Sequence, residues 1–131
     1  MNSRTIVSAI IEKDNKLLFG RKSPNIGPYP NTWHLLGGGM KKNETFESAV
    51  RREVKEEANI DVEIIEKVGV DEDDEPNKHG QLTHYIFHVY KVRYISGEIK
   101  PGDDITELKW IDKDKINELD LCRPSKKLFS D

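Results

Sequence analysis

"GGGMKKNETFESAVRREVKEEANI", Gly37 to Ile60, joins a run of glycines to a charged segment with helical periodicity. Thr45 offers a side-chain oxygen to the first free N–H groups, so the spacing predicts an N-cap there and a helix over Phe46 to Ala58. Asn59 ends it, because asparagine tolerates the left-handed conformation that terminates helices. With Glu53 at zero, Glu56 lies near −60° and Glu57 near +40°, while Val50, Val54 and Ala58 fall at about +60°, +100° and +140°. The acidic flank therefore adjoins the apolar flank instead of opposing it. Like charges at these spacings cost ~0.2–0.5 kcal/mol per pair. A hard divalent cation between them removes that cost, since Mg²⁺ and Mn²⁺ prefer oxygen ligands. The competing explanation is a solvated face on which Arg52 pairs with Glu56 and Arg51 with Glu47. Glycines just before the helix let backbone pass close to a ligand, having no Cβ in the way.

Outward from this segment, "TIVSAII" (Thr5–Ile11) and "LLFGRK" (Leu17–Lys22) flank the turn residues "KDNK" and read as a hairpin. "SPNIGPYPNT" (Ser23–Thr32) reads as a proline-rich loop and "WHLL" (Trp33–Leu36) as a short strand entering the glycines. After the helix, Asp61–Val70 reads as a strand, the acidic run "DEDDEP" (Asp71–Pro76) as a loop, and Thr83–Ile95 as a long strand. "ITELKWID" (Ile105–Asp112) reads as a strand and Asp112–Asp120 as a short helix held by Ile116 and Leu119. Strands mixed with two or three helices, not in strict alternation, give a mixed-sheet α/β (α+β) domain.

The 131 residues suit one domain, 1–131, with 35% hydrophobic and 34% charged residues, so its core is economical and its surface highly charged. A net charge of −3 argues against a protein that tracks a nucleic-acid duplex. Cys122 is the only cysteine, which excludes an intramolecular disulfide and a cysteine zinc site. No apolar run reaches the ~20 residues of a membrane span, and the first residues lack a signal-peptide pattern, so the expectation is a cytoplasmic protein without membrane attachment. An EF-hand loop from Asp71 fails, because Pro76 and Leu82 stand where glycine and glutamate are required.

Gly38, Glu44, Arg52, Glu53, Val54, Glu56, Glu57 and Ile60 together resemble the signature of the Nudix hydrolases, G-x5-E-x7-R-E-U-x-E-E-x-G-U with U a bulky apolar residue. Asn59 replaces the late glycine, Asn43 stands where the family often has glycine before Glu44, and Leu36 replaces a frequent proline. The resemblance extends along most of the chain, from "LLFGRK" and "NTWHLLGGG" to "ITELKWID" and "KINEL". It implies an α/β/α sandwich with a central mixed β-sheet and hydrolysis of a phosphoanhydride bond in a nucleoside di- or triphosphate derivative.

The resemblance also implies roles. Glu53, Glu56, Glu57 and the Gly37 carbonyl are metal ligands for Mg²⁺ or Mn²⁺; Glu53 is a candidate base; Arg52 orients the carboxylates through Glu44. A loop glutamate outside the motif is the alternative base, and Glu107 is its candidate, with Glu98 weaker. Arg21, Lys22, Trp33 and Gly38 are candidate substrate contacts, and Trp33 also reads as a packing residue. His84 and His88 lack a third metal ligand at suitable spacing and read as nucleotide contacts or sheet decoration. The expected partner is a nucleotide-type small molecule, with the chain a monomer or homodimer. The rival functions are a nucleotide-sugar or ADP-ribose pyrophosphatase and a catalytically silent nucleotide sensor.

Overall fold

The computed structural model describes residues 2–22, 32–77 and 79–121. The loop expected over Ser23–Thr32, apart from Thr32, and the thiol of Cys122 lie outside them. Asp14 and Asn15 both take positive φ, 53° and 64°, the two-residue turn that matches the twist of antiparallel strands. They join β1 (Asn2–Lys13) to β2 (Lys16–Lys22), as the turn chemistry predicts. β3 (Trp33–His34), β4 (Leu36–Gly39), β5 (Asp61–Pro76), β6 (Leu82–Ser96) and β7 (Ile105–Asp112) complete one seven-stranded sheet.

The strand order is β3-β2-β1-β6-β5, with β7 on β2 and β4 on β1. β1 and β6 run parallel over Asn2 to Glu12, and the other pairs are antiparallel, so the sheet is mixed as expected. β1 meets β2 only at Glu12 and Lys13; further back, the same edge is taken by β4, with Ile6 to Ala9 opposite Gly39 to Leu36. That divergence brings the glycines into the sheet.

Alternation along the strands sorts the apolar residues into two cores. Val7, Ala9, Ile11, Leu18, Leu36, Tyr90 and Val92 face α1 (Phe46–Ala58), which contributes Ala49, Val50, Val54 and Ala58. Burying each such valine contributes ~1.5–3 kcal/mol. The opposite face carries Leu17, Phe19, Trp33, Leu35, Val89 and Ile111, covered among the described residues by Ile116 and Leu121.

α1 begins and ends where the sequence indicates. Thr45 Oγ1 accepts from the Ser48 N–H at 3.1 Å, and Asn59 closes the helix at φ 64° and ψ 27°. Two expectations are corrected. The acidic run Asp71–Glu75 is not a loop: β5 continues to Pro76 because β6 supplies a hydrogen-bonding partner along its whole length. The helix expected over Asp112–Asp120 is a 3₁₀ turn, Lys113–Glu118, whose single buried anchor is Ile116. Among the described residues α1 is the only α-helix.

Candidate active site

Gly37 and Gly38 set how closely β4 approaches its neighbours. A Cβ on Gly37 would lie 1.9 Å from the Val7 carbonyl oxygen, and its φ of +155° already disfavours a side chain. A Cβ on Gly38 would lie 2.5 Å from Glu53 Oε2, so the missing side chain is the space the carboxylate occupies. The Gly37 N–H donates to Glu57 Oε1 at 2.8 Å, a fixed contact between strand and helix.

Glu53 and Glu57 are buried, 7% and 2% exposed, because they lie on the flank beside the apolar stripe and not opposite it. Burial raises the pKa of Glu57 to about 8; the Gly37 hydrogen bond opposes this, and the charges of Glu53 and Asp103 add to it. Burial also raises Glu53, against the pull of Arg52. Like charge adds to burial at both: Glu53 and Asp103 raise Glu57, and Glu56 and Asp103 raise Glu53.

Arg52 is the organiser on the outer side. Its Nε and Nη2 donate to Glu44 at 2.6 and 2.9 Å, a two-point contact. Nη1 donates to Glu53 Oε1 at 2.7 Å and Nη2 to the Gly39 carbonyl at 3.1 Å. Glu44 also accepts from the Lys41 N–H at 2.7 Å. Its two hydrogen bonds from Arg52 lower its pKa to about 2, and Glu44 in turn raises that of Arg52. One guanidinium thus ties the glycine strand, the turn before α1 and the helix flank together.

Glu56 stands apart from the buried pair. It is exposed and takes the remaining Arg52 contact at 3.2 Å, so the solvated pairing between Arg52 and Glu56 is present too. The third member of the tight cluster is Asp103: carboxylate oxygens of Glu53, Glu57 and Asp103 all lie within 4.8 Å of one another. Asp103 comes from the segment between β6 and β7. The N–H groups of Lys100 and Gly102 donate to the carbonyls of Ala58 and Glu57 at 3.0 and 3.1 Å, and the Asn59 side chain donates to the Glu98 carbonyl at 3.3 Å. The last turn of α1, whose carbonyls have no partner within the helix, is satisfied by this segment. In making those bonds the segment carries Asp103, at φ 54°, to the carboxylates.

Sequence reasoning missed Asp103. The available signal was the turn composition of "KPGDD", but nothing in one dimension links it to a helix some fifty residues earlier. Glu98 contributes its carbonyl here, and its side chain is exposed.

Arg21, Trp33 and Glu107 are not brought to the carboxylates. Trp33 belongs to the core on the face away from α1, the Arg21 guanidinium lies over its ring at 5.8 Å, and Glu107 is opposite Arg21 in the β2–β7 ladder. The reason is period two: Arg21 and Trp33 share the parity of Phe19, whereas Lys22 and His34 share that of Leu18 and Leu36. Lys22 lies on the carboxylate face and lowers the pKa of Glu57 through its charge. His84 is distant in the sheet, bridging Asp74 and Glu72 at 2.6 and 2.9 Å. His88 accepts from Lys67 Nζ at 2.9 Å and packs on Phe46.

Carboxylate oxygens this close together, two of the three residues buried and Asp103 exposed, suit a hard divalent cation. Comparison with known proteins supplies the class. The family model described as NUDIX domain matches residues 1–131. A nucleoside triphosphatase NudI of Enterobacter sp. (strain 638) is 26% identical over 99% of this chain and 96% of its own length. An ADP-ribose pyrophosphatase of Methanocaldococcus jannaschii is 35% identical over 86% of this chain, which spans 64% of that protein. Among solved structures, a MutT NUDIX hydrolase from Burkholderia pseudomallei superposes with a TM-score of 0.84 at 24% identity, covering 98% of this chain and 97% of that one. The chain belongs to the Nudix hydrolase family.

Proposed function

We propose that this chain is a divalent-metal-dependent pyrophosphohydrolase of nucleoside triphosphates or related nucleotide derivatives. Membership of the Nudix hydrolases carries the reaction class, and the observation that carries the site is the Glu53–Glu57–Asp103 cluster beside Gly37 and Gly38. The donor set fits Mg²⁺ or Mn²⁺: it is all oxygen, it is dense in negative charge, and burial raises the pKa of both Glu53 and Glu57. Glu53, Glu57 and Asp103 would hold the ion with the Gly37 carbonyl, and Glu56 would join on release from Arg52. When bound, the cation neutralises polyphosphate charge and acidifies the attacking water.

The remaining work falls to the chain's own residues. Arg52, fixed by Glu44, holds Glu53 against Gly38 and so sets the direction of the carboxylate. Lys22, on the same face and without an ion pair among the described residues, is placed to meet a phosphate. A carboxylate of the cluster, Glu53 or Asp103, accepts the proton of the attacking water. The water oxygen forms a bond to phosphorus, and the bridging P–O bond breaks to leave two phosphate products. Asp103 replaces Glu107 as the loop carboxylate of choice, because Glu107 lies on the other face.

The similarity to the NudI triphosphatase runs over nearly the full length of both proteins, which favours a nucleoside triphosphate. The higher identity to an ADP-ribose pyrophosphatase keeps that substrate as the second reading. Phosphate and pyrophosphate release would be measured with nucleoside triphosphates, ADP-ribose and nucleotide sugars, with Mg²⁺ and with Mn²⁺, beside Glu57→Gln. Strong turnover of one class, lost in the variant, is the expected result. No turnover with any substrate would leave the silent sensor and overturn the proposal.

No helix among the described residues is long and apolar enough to cross a membrane, which is compatible with a cytoplasmic enzyme.

A further inference from the structure

His34 sits on β3, opposite Gly20 of β2 and so on the sheet face that packs against α1. Its Nδ1 lies 2.8 Å from the Leu35 carbonyl oxygen, which can only accept, so Nδ1 carries the hydrogen. Nε2 of the neutral ring is then a bare acceptor. It is buried and has no hydrogen-bond partner among the described residues. Burial, reinforced by the charge of Lys22, lowers the pKa to about 4, so the ring stays neutral at pH 7 and Nε2 keeps its lone pair. Buried polar atoms are almost always satisfied, so an acceptor that no group of the described residues reaches calls for a donor from outside the chain, a water or a ligand.

The surroundings narrow what that partner is. A metal ion is a poor fit, because His34 lies outside the set of groups whose ligand atoms cluster within 4.8 Å. An ionised phosphate oxygen does not fit, since it too is an acceptor. Lys22 is the adjacent cation and has no ion pair among the described residues, so it is available to meet a phosphate beside the ring. Besides water, what remains is a neutral N–H or O–H donor attached close to the phosphates, and in the nucleotide substrate proposed above that is the nucleoside part: a base N–H or a ribose hydroxyl.

We infer that His34 is a specificity residue whose Nε2 accepts a hydrogen bond from the nucleoside part of the substrate. This rests on the nucleotide reading of the site and adds what selects the substrate. The contact orients the nucleoside and takes no part in proton transfer at phosphorus.

The test uses the full chain with isotope-labelled histidine and follows the Nε2 nitrogen resonance at pH 7. AMP, GMP, CMP and UMP, their 2′-deoxy forms, and inorganic phosphate are the probes. The free protein is expected to give the resonance of an unprotonated, unbonded nitrogen. At least one nucleoside monophosphate should move it to the hydrogen-bonded position while phosphate alone does not. Dependence on the base would identify a base N–H as donor, and loss of the shift in the deoxy forms would identify the ribose hydroxyl. In parallel, His34→Leu should raise KM for the preferred nucleotide about tenfold with kcat little changed, the loss of one neutral hydrogen bond. His34→Asn, which restores an acceptor, should recover most of it. A resonance that no nucleoside monophosphate moves, or one already hydrogen-bonded in the free protein, would overturn the inference without any variant having to fold. If the resonance moves but the wild type hydrolyses no nucleotide, the contact stands and the hydrolase reading falls.

Discussion

Glu53 and Glu57 lie buried on the flank of α1, whereas Asp71, Glu72, Asp73, Asp74 and Glu75 run along the far half of β5. On sequence density alone the second group is the more acidic. In the fold it is spread by strand geometry: successive carboxylates point to opposite faces, and Glu72 and Asp74 are bridged by His84, whose pKa they raise. On the helix, spacings of three and four put the carboxylates on one flank, and the turn of chain carrying Asp103 closes the third side. One group is spread along a strand and partly bridged by His84; the other converges on one point, with Arg52 on its outer side. Acidic count therefore says little about a cation site, while burial and convergence say much.

The largest effect that tests this contrast is loss of the convergent carboxylates. Glu57→Gln or Glu53→Gln should lower turnover by more than about 100-fold, the upper end of what losing an outer-shell partner costs. Asp71→Asn and Asp73→Asn together should leave it within a factor of about two. A comparable fall in both would erase the distinction between the two regions.

Next in size are the residues that aim the site. Arg52→Lys loses the two-point contact to Glu44 and should cost ~10–100-fold in activity or metal affinity, with the fold retained by circular dichroism. Gly38→Ala should act comparably, because the new methyl group would displace the Glu53 carboxylate.

The two regions also differ in how a cation changes their response to pH. Glu57 has a folded pKa of about 8, above its ordinary value of 4.5, so between those values the folded state binds more protons than the unfolded one. Metal-free stability should therefore fall as pH rises through that window. His84, also raised, contributes stability that is present at low pH and lost as pH passes its folded pKa, so its sign is the same. Mg²⁺ separates them. It must displace the Glu57 proton, so its apparent affinity should rise with pH by up to about tenfold per unit below pH 8. Thermal melts with and without Mg²⁺ at pH 5.5, 7 and 8.5 would show the cation restoring stability most at the highest pH. Glu72→Gln should leave that metal-dependent gain unchanged; if it abolishes the gain, the cation binds at the far half of β5.

The smallest expected effect concerns the helix end. Asn59 holds φ 64° and donates to the Glu98 carbonyl. Asn59→Ala should lower stability by ~1 kcal/mol in denaturant unfolding, while Asn59→Gly stays within about 0.5 kcal/mol, since glycine adopts the left-handed conformation freely.

Local chemistry determined a large part of this protein. The capping of Thr45, the left-handed Asn59, the Asp14–Asn15 turn and the period of α1 are each fixed by a few neighbouring residues, and each was legible in the sequence. The glutamate flank and its glycine approach were legible for the same reason, because helical spacing turns sequence into geometry directly. Three things depended on contacts between distant segments. Asp71–Glu75 became strand because β6 was available to pair with it, although its composition favours a turn. Arg21, Trp33 and Glu107 went to the face away from α1, because one residue of strand register decides which side chains meet the helix. Asp103 joined the carboxylates because the carbonyls ending α1 needed donors and the segment before β7 supplied them. Each of these was settled by pairing across the sheet or against the helix end, where hydrogen-bonding groups must be satisfied whatever the local sequence prefers.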